Sequence, residues 1–181
     1  MWVMLATVSV TLIRTIRPHR RGIRVTYAAY IDSSVAVPLL WCAHPLFTAS
    51  DGEEIVVDGP FIEHFLSFGT IHNALPKVSM LPPKRALKSF GLFEVASAAI
   101  RLPDGLALHM SWAGSPIRAL ALYLDNGLFN GNALFEIEPG TGRHDLADAL
   151  WSKLPVVTTH VPLKWALNLR LGQEKEKAGP S

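Results

Sequence analysis

Two short stretches of the chain carry residue types suited to acid–base chemistry. The first ends in His44, which follows a run of mostly apolar residues and precedes Pro45. The second holds Glu136 and Glu138, followed by a Pro-Gly-Thr-Gly turn at residues 139–142. Imidazole and carboxylate groups are the side chains that most often carry protons in enzymes. These two stretches therefore contain the candidate acid–base groups.

The local pattern predicts how these side chains are placed. Residues 133–138 are predicted to form a short strand, so Glu136 and Glu138 face the same side. The turn that follows is predicted to expose the Glu138 carboxylate at the sheet edge. A turn-capping carboxylate and a structural histidine are common in such positions, so the residues alone leave structural and catalytic roles open.

The elements around these stretches are predicted from period-two alternation of apolar and polar residues. A long irregular loop is predicted over residues 58–89, where four prolines fall, and one short helix over residues 145–151. The pattern predicts an all-β sandwich forming a single domain over residues 1–172, followed by a disordered polar tail over 173–181. Nine strands are predicted: 2–13, 23–29, 35–47, 54–57, 93–102, 106–112, 118–124, 133–138 and 163–171.

Composition narrows the function classes. The chain has 181 residues, 49% of them hydrophobic, and a net charge of +2. A basic cluster at residues 17–21 is interpreted as a solvated loop, since no nucleic-acid-binding motif accompanies it. We expect no membrane segment, because no apolar run approaches roughly 18 residues. The single cysteine, Cys42, excludes an internal disulfide and favours a cytoplasmic location.

Three motifs in order resemble the aldose 1-epimerase family. They are Trp41-x-x-His44-Pro45-x-Phe47, then Glu138-Pro139-x-Thr141-Gly142-x-x-Asp145, then a closing Trp-x-Leu-x-Leu strand that begins at Trp165. Their order and approximate spacing are similar to those of bacterial members. The resemblance implies a galactose mutarotase-like antiparallel β-sandwich, and it covers nearly the whole chain.

The resemblance also implies an activity. In that family a histidine of the first motif is the general acid and a glutamate of the second is the general base, which gives His44 and Glu138 here. The pair would interconvert the α and β anomers of a hexose by opening and closing the sugar ring. No cofactor and no metal are implied, and the sequence shows no metal-ligand spacing such as His-x-x-x-His. Trp41 is a candidate to stack on a sugar face, with a core role equally open.

The chain departs from the family in two respects. Family members carry further N-terminal strands, together with substrate-binding Arg and His side chains, and we expect these strands to be missing from this chain. The family's sugar-binding Asp has no secure counterpart, and Asp125 is the candidate. The open alternatives are a non-catalytic carbohydrate-binding module of the same fold and an inactive truncated gene product. We expect self-association through an exposed sheet edge.

Overall fold

A computed structural model gives the structure of the protein. It describes residues 2–5, 10–32, 34–49, 52–57, 61–68, 81–93, 96–114, 116–129, 131–142, 154–159 and 161–173. Side chains are described within these ranges except at 2–5, 61–68 and 89–93.

Every regular element in the described part of the chain is a β-strand. Fourteen strands are present: β1 Trp2–Leu5, β2 Val10–His19, β3 Gly22–Ile31, β4 Val37–Pro38, β5 Leu46–Thr48, β6 Glu54–Val57, β7 Phe61–Phe68, β8 Ala86–Phe93, β9 Ser97–Arg101, β10 Leu106–Ala113, β11 Ala119–Asn126, β12 Ala133–Gly140, β13 Val156–Val157 and β14 Leu163–Gln173.

The strands form two large antiparallel sheets and one small one. The seven-stranded sheet has the order β1-β2-β3-β14-β10-β9-β6, and the five-stranded sheet has the order β5-β12-β11-β8-β7. A two-stranded sheet pairs β13 with β4. Since β12 lies inside the five-stranded sheet, between β5 and β11, its side chains are held on both flanks.

The main core fills the space between the two large sheets. Met110, Trp112 and Leu167 contribute from the seven-stranded sheet, and Leu122 and Ile137 contribute from the five-stranded sheet. Burial of apolar side chains from facing sheets is the main stabilising term in such a sandwich. The predicted all-β sandwich class is confirmed, and Trp112 and Trp165 are both buried.

The predicted loop over residues 58–89 is wrong for a large part of its length. The strand β7 lies within it, and β8 begins at Ala86. The two strands pair with each other, and β8 also pairs along β11. The prediction depended on four prolines, but none of them lies within β7 or β8, and Pro82 and Pro83 precede β8.

Two predicted strands in the first fifty residues also differ. The single strand predicted over 2–13 is divided into β1 and β2, which pair antiparallel with each other. The strand predicted over 35–47 is reduced to β4 and β5, with one isolated bridge from Cys42 to Gly140 between them. Pro38 and Pro45 lie in this stretch and cannot donate backbone hydrogen bonds, which explains the interrupted ladder.

The remaining predictions concern two strands, the helix and the tail. The closing strand is confirmed as β14. The predicted strand over 93–102 is divided between the end of β8 and β9. The helix predicted over residues 145–151 lies outside the described residues, and most of the predicted tail does too.

Candidate acid–base site

The strand β12 places Glu136 and Glu138 on the face opposite the sandwich core. Phe135 and Ile137 belong to the main core, and alternation directs the two glutamates to the other side of the sheet. The prediction that the two carboxylates share a face agrees with their common contact with His44. The predicted exposure of Glu138 is wrong: its side chain is 0% exposed, because β11 flanks it on one side and the segment that contains Cys42 and His44 lies along the other.

His44 is positioned by an edge segment, residues 39–45, that runs beside β12. Thr141 fixes this segment, since its hydroxyl accepts a hydrogen bond from Trp41 N at 2.8 Å and donates one to Leu39 O at 2.7 Å. Ala43 N donates to Pro139 O at 3.0 Å. The threonine of the second motif therefore holds the segment that carries the histidine of the first.

Gly140 permits this close approach. A Cβ atom at that position would lie 3.0 Å from Trp41 O and 3.5 Å from Cys42 Sγ. The contact with a backbone oxygen is tighter than most real Cβ contacts, so a larger residue would push the edge segment away from β12. The Pro-Gly-Thr run thus has a local structural reason that the sequence prediction did not supply.

The imidazole and the two carboxylates are in direct contact. His44 Nδ1 lies 3.0 Å from Oε2 of Glu136 and 3.7 Å from Oε1 of Glu138. The histidine side chain is 55% exposed, whereas the Glu136 side chain is 14% exposed. The histidine therefore lies between solvent and the buried carboxylates, where it can exchange protons with both.

A cation completes the cluster. Lys88, on β8, places Nζ 2.9 Å from Oε2 of Glu138, and its side chain is 18% exposed. The same ammonium lies 5.9 Å from the centre of the Tyr123 ring, within the range of a cation–π contact. Sequence reasoning missed Lys88 because it lies in the stretch predicted as a loop. A single lysine between the apolar residues Leu87 and Phe90 was the available signal.

Burial and like charges shift the titration of the neighbouring groups. Burial, and then a hydrogen bond to Glu138, raises the pKa of Glu136, while the hydrogen bond from His44 opposes this shift. Burial raises the pKa of Tyr123 to about 12, and the nearby Asp125 carboxylate adds to the effect. Burial also raises the pKa of the Cys42 thiol, and Glu138 adds to that shift. The thiol is therefore a neutral donor, with Sγ 3.8 Å from Oε2 of Glu138.

The cluster also has a spacing that a metal ion could use. Among the described residues, Cys42, His44 and Glu138 offer ligand atoms within 4.8 Å of one another. One feature opposes a cation there, because Lys88 Nζ already brings a positive charge to 2.9 Å from Oε2 of Glu138. We therefore interpret the cluster as an ion-pair and hydrogen-bond arrangement.

Trp41 lies in an aromatic cluster with Tyr27 and Trp165. Its ring centre is 4.7 Å from that of Tyr27 and 5.0 Å from that of Trp165, both in edge-to-face contacts. Such packing stabilises the fold without a ligand. A groove of about 340 Å³ runs between residues 41–45 and the inner face of the seven-stranded sheet, and both Trp41 and His44 line it. A role for Trp41 in stacking on a sugar stays a prediction.

Asp125 is fully buried and holds the turn between β11 and β12. Its carboxylate accepts hydrogen bonds from Leu128 N at 2.5 Å, from Phe129 N at 3.2 Å and from the Tyr123 hydroxyl at 3.3 Å. Asp125 is four residues along β11 from Ala121, which lies opposite Glu138. That separation is about 13 Å at the usual strand rise, so these contacts give Asp125 a structural role at the turn.

The chain was compared with known proteins. No protein-family model matches the sequence, and no curated protein matches it. Solved structures do match. A protein from Synechocystis sp. PCC 6803 superposes with a TM-score of 0.71 at 16% identity, over 91% of this chain and 55% of its own. A candidate aldose 1-epimerase from Escherichia coli K12 gives a TM-score of 0.70 at 16% identity, over 91% and 60% of the two chains.

A third solved structure is a galactose mutarotase-like protein from Lactobacillus casei ATCC 334. It superposes with a TM-score of 0.66 at 17% identity, over 95% of this chain and 68% of its own. The chain thus spans a little over half the length of the first two solved structures. At these identities the likeness concerns the backbone arrangement. The chain therefore has the fold of the galactose mutarotase-like, aldose 1-epimerase proteins.

Proposed function

We propose that the protein is an aldose 1-epimerase that interconverts the α and β anomers of a hexose. Glu138 is the general base and His44 is the general acid. One observation carries the proposal: two segments almost a hundred residues apart bring His44 Nδ1 to 3.7 Å from Oε1 of Glu138, on a fold matched by a candidate aldose 1-epimerase.

The chemistry needs these two groups alone. Glu138 takes the proton of the anomeric hydroxyl, the electrons of O1 form a C1=O1 double bond, and the C1–O5 bond breaks. The ring oxygen O5 receives a proton from His44. Rotation about C1–C2 presents the other face of the aldehyde, and the reverse steps close the ring. Each proton transfer is worth about 10²–10⁴-fold in rate.

The described arrangement corresponds to a closed resting state of this site. The His44 ring contacts both carboxylates, and Glu138 has no exposed surface. A pyranose must therefore insert between the imidazole and the carboxylates. Since His44 is more than half exposed and sits on an edge segment, its ring can swing toward solvent without breaking the strand ladder.

Polarimetry tests the proposal. Freshly dissolved α-glucose or α-galactose should equilibrate faster with the protein than in buffer alone, and Glu138→Gln should abolish the acceleration. Gln keeps the shape of the side chain but cannot accept the proton, so circular dichroism of the variant should match the parent. A Gln variant that equilibrates the anomers as fast as the parent contradicts the assignment of the base.

The full burial of Glu138 favours a second candidate, a non-catalytic carbohydrate-binding protein of the same fold. In that case His44 and the carboxylates hold the edge segment, and a sugar binds nearby without ring opening. Calorimetric titration with glucose and galactose separates the two functions. If the protein binds a sugar but its anomers equilibrate no faster than in buffer alone, this second candidate is supported.

We also propose self-association through one end of the seven-stranded sheet. Near the β2–β3 turn, Ile16, Ile23 and Leu171 are exposed on the inner face, which the five-stranded sheet leaves uncovered. Contiguous apolar surface of this kind favours association. Size-exclusion chromatography should show an apparent mass that rises with protein concentration, and Ile16→Glu should restore a monomer. A concentration-independent monomer contradicts the proposal.

A further inference from the structure

Lys88 places its ammonium nitrogen 2.9 Å from Oε2 of the fully buried carboxylate of Glu138. We propose that Lys88 is a positioning residue for the catalytic base: it holds Oε2 of Glu138 and leaves Oε1 directed toward His44, where the anomeric hydroxyl would bind. This inference rests on the proposed epimerase function and names a residue that the motifs do not contain.

The sheet register explains how a lysine on β8 reaches a glutamate on β12. The strand β11 lies between them, so the two backbones are about 10 Å apart. Lys88 is opposite Tyr123, and Glu138 is opposite Ala121. The lysine side chain therefore crosses β11 diagonally, with the Tyr123 ring beside its ammonium. Ala121 has only a methyl group, which leaves the crossing open.

The two oxygens of Glu138 have different surroundings. Oε2 lies 2.9 Å from Lys88 Nζ and 3.8 Å from Cys42 Sγ. Oε1 lies 3.7 Å from His44 Nδ1. A carboxylate held at one oxygen by a charged hydrogen bond has a fixed plane, so the other oxygen is presented in a defined direction. Oε1 is the oxygen on the side that opens when His44 moves.

Charge accounts for the choice of a lysine. A buried carboxylate is strongly unfavourable unless a cation and hydrogen bonds compensate for the lost water. The described titratable groups that face Glu138 are Glu136 on β12, Lys88 on β8, Tyr123 on β11, and Cys42 and His44 on the edge segment. Of these, Lys88 brings a positive charge to Oε2 of Glu138, and this contact does not depend on the position of His44.

The test compares Lys88→Met with Lys88→Arg. Met keeps the length and apolar stem but removes the charge, so the variant should lose about 10- to 10²-fold in kcat with little change in KM, because a misplaced base loses rate steeply. The acid limb of its pH–rate profile should move to higher pH, since the carboxylate has lost the cation that favours its ionised form. Arg keeps the charge, so it should recover most of kcat and restore the acid limb.

A second measurement does not depend on activity. Thermal melts at pH 8 of the parent, Lys88→Met, Glu138→Gln and the double variant form a double-mutant cycle. Lys88→Met should lower Tm in the parent, where it leaves a buried charge unpaired, and should change Tm little when residue 138 is Gln. Equal losses in both backgrounds overturn the inference.

The outcomes separate this inference from the proposed function. An active parent whose Lys88→Met variant keeps its kcat and its pH profile overturns the positioning role alone. A parent protein that does not accelerate anomer equilibration of any hexose over buffer alone contradicts the epimerase function. In that case the cycle still decides whether Lys88 holds Glu138, and an additive cycle overturns the inference as well.

Discussion

The two faces of β12 differ in chemistry, although the same eight residues supply both. On one face Phe135 and Ile137 pack into the main core. On the other, Glu136 and Glu138 contact an imidazole, and Glu138 also contacts an ammonium. Both faces are largely closed to water, so the difference is one of partners: apolar contacts on one side, and ion pairs and hydrogen bonds on the other.

This difference indicates where rigidity comes from. The core face fixes the strand by shape, because close-packed apolar side chains tolerate little movement. The same backbone carries the acid–base face, so it is already fixed there. The carboxylates therefore need only short local contacts to hold their directions. Substitutions on the core face should therefore change stability first, and substitutions on the other face should change proton transfer first.

The largest expected effect comes from neighbouring residues on opposite faces. Ile137→Ala removes a fully buried core side chain and should lower the free energy of unfolding by about 2–5 kcal/mol. Glu138→Gln should leave most of the stability and remove the mutarotation. Chemical denaturation and polarimetry on both variants provide the measurement. If Glu138→Gln unfolds as readily as Ile137→Ala, the two faces do not divide stability from chemistry.

His44→Asn should have the next largest effect. The substitution removes the proton donor to the ring oxygen, so kcat should fall by about 10²-fold. Stability should change little, because the histidine side chain is largely exposed and its segment is held by Thr141. Equal rates in parent and variant across the pH range would leave His44 a structural residue.

The sequence predicted the acid–base face better than it predicted the elements around it. Alternation correctly placed Glu136 and Glu138 on one side, because a strand has a fixed two-residue repeat. The motifs paired Glu138 with His44, and the two side chains are close in the fold. The burial of Glu138 could not be read locally, since it depends on the edge segment and on a strand nearly fifty residues away.

Lys88 is a site residue that the sequence did not predict. Its strand, β8, was not predicted because prolines lie near it. The place of β8 in the sheet is set by pairing with β11, a long-range contact that no local pattern encodes. Asp125 shows a third case. Its carboxylate accepts hydrogen bonds from Leu128 N and Phe129 N in the turn that follows, and its role in sugar binding stays a prediction. Such side-chain to backbone bonds are common at aspartates before turns.

The smallest expected effect concerns Glu136, which belongs to the acid–base face but is partly exposed. Its pKa in the folded protein is raised above the ordinary value of 4.5, chiefly by burial and by the hydrogen bond to Glu138. A carboxyl group with a raised pKa stabilises the fold fully below its ordinary pKa. That contribution is lost as the pH rises through the raised value, because ionisation then becomes unfavourable in the folded state.

Glu136→Gln mimics the protonated form and does not titrate. The stability of the parent relative to the Gln variant should therefore decrease between pH 4 and pH 7, by about 1 kcal/mol at most, because the hydrogen bond from His44 opposes the effect of burial. Thermal melts of the two proteins in matched buffers measure this difference. A parent that gains stability over the variant as the pH rises would show that pairing with His44 outweighs burial, and Glu136 would then act as an ionised partner of the histidine.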